Sequence, residues 1–201
     1  MDHQRQITLR ERKRQAVQQE VKTVAIDLFL ANGYESTTVD QIATAAGLSP
    51  RSFFRYFANK EAVVTYVLDE TGADIAHALA ARPPEEEPWY ALRRAFDEVI
   101  EKWTRNQSLP MIRLIHDTPV LYAKHLHQEV QWNEAIAQSL VPRLTETPPG
   151  EERRLRAGAL AAAGAACFAY ARLEWVACNG KRSVAELLDL AMDAVSPLSG
   201  P

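Results

Sequence analysis

Arg51 stands one residue after Pro50 and two after Ser49, in the run Leu48-Ser49-Pro50-Arg51-Ser52. Serine followed by proline reads as a helix start. The hydroxyl accepts from the free N–H groups of the first turn, and proline fits the first position, where no N–H is needed. Pro50, Arg51 and Ser52 are then presented outward at the N-terminal end of that helix. The guanidinium fork matches O6 and N7 of guanine, so the chemistry is base-edge recognition in a DNA major groove. Arg55 and Tyr56 follow near the rim, at phosphate height, and Lys60 adds charge at the start of the next helix, which Asn59 caps. Upstream, Arg10, Arg12, Lys13 and Arg14 form a basic cluster. A solvated helix face and a phosphate or minor-groove contact are both open readings of it.

No catalytic constellation accompanies these residues. There is no G-x-S-x-G elbow, no phosphate loop and no G-x-G-x-x-G. His125 and His127 lie two apart on a predicted helix and point to different faces, so they do not chelate one metal. His3, His77 and His116 stand alone, and Cys167 and Cys178 form no C-x-x-C pair. Neither a cofactor nor a metal is expected.

The elements that must position Arg51 are legible around it. Val39, Ile42, Ala43 and Ala46 recur at i, i+3, i+4 and i+7, one apolar face of a short helix. Thr38 before that face and Gln41 at its third position make a capping box. Gly47 is placed to take the left-handed conformation that ends a helix, and Leu48 plugs the turn. Phe53 and Phe57, four apart, pack back on the other helices. The unit is a helix-turn-helix. An earlier helix buttresses it through Val17, Val21, Val24, Ala25, Leu28 and Phe29, from Arg10 to about Asn32, where Gly33 stops it. Residues 1–9 are expected to form a mobile arm.

Beyond Lys60 the chain reads as six further helices. The fourth helix of the chain runs from Lys60 to about Ala81, with Val63, Tyr66, Val67, Ile75 and Leu79 inward. Pro83, Pro84 and three consecutive glutamates break the pattern. The fifth starts near Pro88 and carries Trp89, Leu92, Phe96, Ile100 and Trp103 on one face. The sixth spans Ser108–Thr118, and Pro119 bends the chain into a seventh, to about Leu144. The eighth runs from Glu151 to about Cys178, closed by Asn179 and Gly180. Ser183 and Glu186 form a capping box for the ninth, to about Val195. The fold class is all-α, divided into a DNA-binding domain at 1–60 and a helical body at 61–201.

Charge agrees with that division. The chain has 201 residues and a net charge of −3. Residues 1–60 hold nine Lys/Arg against six Asp/Glu, and the remainder fourteen against twenty. A basic head on an acidic body suits a protein whose head alone meets phosphate. No apolar run approaches the ~20 residues of a membrane span, and the N-terminus lacks an apolar h-region. A reducing cytoplasm and no membrane partner are expected.

The stretch from Ala25 to Glu61 also resembles a family. Ala25, Leu28, Phe29, Gly33, Tyr34, Thr37, Thr38, Val39, Ile42, Ala43, Ala46, Gly47, Leu48, Ser49, Tyr56, Phe57, Lys60 and Glu61 match the N-terminal signature of TetR-family transcriptional regulators. The segment from Thr118, Pro119 and Leu121 to Trp132 resembles an actinobacterial subgroup. The resemblance implies a homodimer on a roughly palindromic double-stranded operator, released by a small-molecule effector. From the resemblance together with the residues read above, DNA contact is expected at Arg14, Thr37, Thr38, Pro50, Arg51, Ser52, Phe54, Arg55, Tyr56 and Lys60. The family often has Gly-Thr where this chain has Arg51-Ser52, and usually Tyr where it has Phe54. Arg51 is therefore expected to carry more of the binding.

The resemblance further implies a cavity among helices five to eight, with Phe96, Trp103, Met111, Ile115, Tyr122, Trp132 and Phe168 as its candidate lining. Taken singly, these residues fit an ordinary core equally well. Few Lys or Arg lie on these stripes, so a mainly apolar effector is expected. The eighth helix is rich in small residues from Ala157 to Ala171. Either it is buried within the monomer or, as the resemblance implies, it and the ninth helix pair with their symmetry mates in a four-helix dimer interface, through Ala163, Val184, Leu187, Leu188 and Ala191. The leading expectation is a ligand-responsive repressor; the alternative is a stand-alone small-molecule-binding or enzymatic helical protein.

Overall fold

The computed structural model describes residues 8–105 and 108–198, with side chains of 65–70 excluded. Within them every regular element is helical: α1 Leu9–Asn32, α2 Val39–Ala45, α3 Pro50–Phe53, α4 Lys60–Ala81, α5 Pro88–Arg105, α6 Leu109–Asp117, α7 Pro119–Leu140, α8 Glu151–Ala177 and α9 Val184–Asp193. A single 3-10 turn, Val141–Arg143, follows α7. The chain forms two compact units, one to Val67 and one from Leu68. The division falls within α4 rather than at Lys60. Residues 1–7 of the expected arm, and the side chains of Tyr66 and Val67, lie outside the described residues.

Local chemistry sets the boundaries in the first unit. Thr8 and Glu11 make a full capping box on α1, and Thr38 and Gln41 make one on α2. Gly47 takes a φ of +67°, and the Leu48 N–H returns to the Ala43 carbonyl at 2.8 Å. This closes the turn in the left-handed geometry that glycine adopts without a Cβ clash. Ser49 caps α3 by accepting from the Ser52 N–H at 3.1 Å. Val21, Ala25 and Phe29 of α1, Ile42 and Ala43 of α2, and Phe53 and Phe57 form the core. Asn59 accepts from the Ala62 N–H at 2.8 Å, which starts α4.

In the second unit α5 is the most cleanly amphipathic long helix. Trp89, Leu92, Phe96, Val99 and Ile100 face inward at helical spacing. α8 divides its small residues between two faces. Ala157, Ala161, Gly164, Phe168 and Ala171 are buried, and a Cβ at Gly164 would lie 2.5 Å from Leu92 Cδ2. The approach of α8 to α5 therefore depends on that glycine. The other face, Leu155, Ala159, Ala162, Ala166 and Tyr170, is exposed.

The expectation for α9 needs correction. Val184, Leu187 and Leu188 are buried inside this single chain, and Leu188 is 0% exposed. They form the inward face of an amphipathic helix and are not available to a second copy. Ala163 and Ala191 are half-buried. The capping box expected at Ser183 is half made: Ser183 accepts from the Glu186 N–H at 3.1 Å, while the Glu186 carboxylate pairs with Arg182 at 2.7 Å.

The second-unit part of α4 is held at four points. Lys102 meets Asp74 at 2.9 Å, and Ser139 Oγ donates to the Ala76 carbonyl at 3.4 Å. Arg143 donates to the carbonyls of Leu79 and Arg82, both at 2.7 Å, and of Pro83 at 2.6 Å, which satisfies the free end of the helix. The fourth point is Gly72, against the indole of Trp132. A Cβ there would lie 2.0 Å from Trp132 Cδ1.

Candidate functional site

Two sites emerge, one in each unit. In the first, Pro50 and Arg51 are exposed at the N-terminal end of α3, and Ser52 is half-buried. Ser52 is already engaged, accepting from the Ser49 hydroxyl at 3.1 Å. Phe54 is 56% exposed and rests edge-to-face on Phe53, with centroids 5.6 Å apart. Arg55 lies over the Tyr56 ring at 5.5 Å. Arg10, Lys13, Arg14, Arg55 and Tyr56 line one open groove with Leu9. The basic cluster of α1 and the turn after α3 thus share a surface whose charge suits a phosphate backbone.

Two expected contact residues have other work. Thr37 is 1% exposed, and its hydroxyl sits 2.8 Å from the Gly33 carbonyl and 3.3 Å from that of Leu28. It ties down the end of α1 and does not reach a ligand. Lys60 places its ammonium on the carbonyls of Tyr34 at 2.8 Å, Thr37 at 3.2 Å and Glu35 at 3.4 Å. It also lies 4.2 Å from the centre of the Tyr34 ring. Three protons meet three carbonyls, so Lys60 braces the α1–α2 loop rather than reaching out to phosphate. Thr38 remains exposed.

The second site is a cavity of ≈ 20 Å3 lined by Trp103, Ile112, Ile115, His116, Tyr122, His125, Trp132 and Arg172. Four of the expected lining residues are there: Trp103, Ile115, Tyr122 and Trp132. Phe96 and Phe168 stand behind them as a stack, Phe96 on Phe168 at 4.6 Å and Phe168 on Trp103 at 5.1 Å. Met111 is buried nearby in the sequence but is not part of the lining.

The polar part of the lining was missed. His125 is 3% exposed, and Arg172 is also buried. Arg172 donates to Glu129 Oε1 at 3.0 Å, and His125 Nε2 lies 2.9 Å from the same oxygen. Burial would raise the Glu129 pKa, but the His125 contact and the Arg172 charge hold it below its ordinary value. Burial pushes the His125 pKa down; the Glu129 contact opposes this and the Arg172 charge adds to it. The ring is therefore neutral beside a carboxylate–guanidinium pair. The signal was present in the sequence. His125, Gln128, Glu129 and Trp132 sit at i, i+3, i+4 and i+7, a polar interruption in a stripe that continues through Leu121, Ile136 and Leu140.

Comparison with known proteins agrees with both halves. Residues 23–67 match the model for bacterial regulatory proteins of the tetR family. Residues 86–198, more than half of the chain, match the model of the MftR C-terminal domain. The chain belongs to the TetR family. Among TetR-family relatives it is 34% identical over 143 residues to the HTH-type transcriptional regulator TcmR of Streptomyces glaucescens, a match covering 67% of this chain and 63% of that protein. It is 31% identical over 137 residues to MftR of Mycobacterium tuberculosis, a regulator named for mycofactocin biosynthesis, covering 66% and 68%. Thermus thermophilus FadR, a repressor solved with lauroyl-CoA, has the same fold at a TM-score of 0.58, with 24% identity and 90% and 95% of the two chains covered. The all-α fold and the membership in a family of transcriptional regulators thus agree with the sequence expectation. Among the described residues no helix is long and apolar enough to cross a membrane.

Proposed function

We propose that this TetR-family chain is a homodimeric repressor that reads a roughly palindromic operator and leaves it when a small molecule enters the second-unit cavity. It acts by binding rather than catalysis, in the cytoplasm. The observation that carries the reading is Arg51, exposed at the N-terminal end of a helix whose cap, turn and core are all in place. The fold neighbour's complex with lauroyl-CoA supports a regulator of this architecture responding to a small molecule.

DNA readout gives the first test. Arg51→Ala is expected to lose about 1–3 kcal/mol of operator binding and to relax specificity at one position in each half-site. A binding-site selection run on both proteins measures this. Identical preferences for wild type and variant would remove Arg51 from base reading.

Release is proposed to run through Trp132. Its indole lines the cavity and also packs on the α4 backbone at Gly72. α4 continues without interruption to Lys60, which braces the first unit. A ligand that displaces the indole thereby biases α4, and with it the spacing of the two heads. Operator affinity falls by no more than the ligand's differential affinity for the two states, about 5–150-fold for a typical coupling.

Gly72→Ala tests this route. The added methyl and the indole cannot both keep their places, at a cost of about 1–3 kcal/mol in stability. The variant is expected to respond at least about fivefold less to a compound that releases the wild type. Operator titrations with and without that compound decide it. Unchanged release would show that α4 is not driven through this contact.

A further inference from the structure

The polar groups of the cavity specify what kind of molecule enters it, given the reading of that cavity as the effector site. His125, Glu129 and Trp132 share one face of α7, and Arg172 comes from α8. Glu129 Oε1 is the hub, with the Arg172 guanidinium at 3.0 Å and His125 Nε2 at 2.9 Å. The histidine contact is electrostatic and not an aligned hydrogen bond. At that distance a proton on Nε2 is favoured over a lone pair facing the carboxylate, and Nδ1 is then the bare lone pair. That Nδ1 is buried and has no partner, and neither does the buried Trp132 Nε1–H. The two rings meet edge to face, with centroids 5.4 Å apart. Both residues line the same small cavity, so its lining residues carry one unmet acceptor and one unmet donor, an arrangement that native interiors rarely leave unused.

A single group can serve both. A hydroxyl donates its proton to His125 Nδ1 and accepts from the Trp132 N–H. A carboxylate has no proton for Nδ1 and meets the charge of Glu129, while the guanidinium that could welcome it is already paired. An ammonium has no lone pair for the Trp132 N–H. The free space of ≈ 20 Å3 is about that of one oxygen-sized occupant. The remaining walls are flat or aliphatic: Trp103, Tyr122, Ile112, Ile115 and His116, the last turned edge-on to Tyr122 with its Nδ1 2.9 Å from Asp117. Trp103 is held at 21° to Phe168, and Trp103 and Tyr122 are only half-buried, so rings can part there to admit another ring. We propose that the effector is an uncharged, planar hydroxyaromatic molecule, whose hydroxyl bridges His125 Nδ1 and Trp132 Nε1.

The test is isothermal titration of the full chain with four probes that share one ring system and one point of substitution. Naphthol carries donor and acceptor, methoxynaphthalene the acceptor alone, naphthalene neither, and naphthoate a negative charge. Naphthol is expected to bind about tenfold or more tightly than each of the others. Trp132→Phe and His125→Phe, each checked for helical circular dichroism, are expected to shrink that preference. The series on the unmodified chain stands even if either variant fails to fold. Equal affinity for naphthol and naphthalene would overturn the proposal. So would no binding of naphthol, or tighter binding of naphthoate. Release of the operator is read separately. Naphthol that binds with the stated preference but leaves the operator occupied would support the ligand class and overturn the regulatory reading of the cavity.

Discussion

Glutamate in place of Ala166 is expected to leave the chain folded and to lower its operator affinity by about 10²–10⁴-fold. That factor is the avidity of two linked heads over one. Ala166 lies within the exposed stripe of α8 formed by Leu155, Ala159, Ala162, Ala166 and Tyr170. Leu190 of α9 is exposed as well. The stripe is apolar, and its small central residues allow a second helix to come close. Two copies facing each other there would bring two unpaired carboxylates into a desolvated contact, which is strongly unfavourable. The matched control is Leu188→Glu. That residue is fully buried in the single chain, so a charge there is expected to unfold the body rather than to yield a folded monomer. Sedimentation velocity, circular dichroism and operator titration on the two variants separate these outcomes. A folded Ala166→Glu dimer with full operator affinity would move the interface elsewhere.

Arg93→Ala is expected to cost about 3 kcal/mol of stability, near the lower end for breaking a buried ion pair. Arg93 is 2% exposed and ties three points together. Its Nε donates to Asp189 at 2.5 Å, one Nη to Asp97 at 2.6 Å, and the other to the Ala185 carbonyl at 3.2 Å. Two of those points are on α9, so one guanidinium fixes α9 to α5. Asp97 and Asp189 are partly solvated, and water recovers some of what they lose, which keeps the figure from the top of the range. Loss of this clamp also loosens the helix beside the proposed dimer face, so the variant is expected to dimerise less tightly. Urea unfolding of both proteins gives the number. A loss below about 1 kcal/mol would place Arg93 among surface-like pairs.

What could be read in advance was what depends on near neighbours. Thr38 with Gln41, Gly47, Ser49 with Pro50, and Asn59 act over three or four residues, and each is where its spacing put it. What could not be read depends on which surface covers a side chain. Thr37 and Lys60 have polar heads that suit phosphate. Their partners are the carbonyls of Gly33 and Tyr34, and for Lys60 those lie 26 residues away. Val184, Leu187 and Leu188 are apolar at helical spacing, which identifies a buried face but not whether α5 and α8 or a second chain buries it. On α8 the small residues were visible, but their division between an inner and an outer face was not. In the cavity, the neighbour that defines His125 is Glu129, one turn away, and not His127, two residues on.

Arg51 and the basic groove beside it are proposed to read a specific two-fold DNA site. Sequencing the fragments retained by the protein from its own genome, then titrating one of them across a salt series, tests this most directly. The expected result is a shared, roughly palindromic sequence with half-sites about one helical turn apart or a related spacing. Affinity is expected to fall steeply and linearly on a log–log plot with salt, and by about 10³-fold or more when the sequence is scrambled. Retained fragments with no common sequence, or an affinity indifferent to salt, would contradict it.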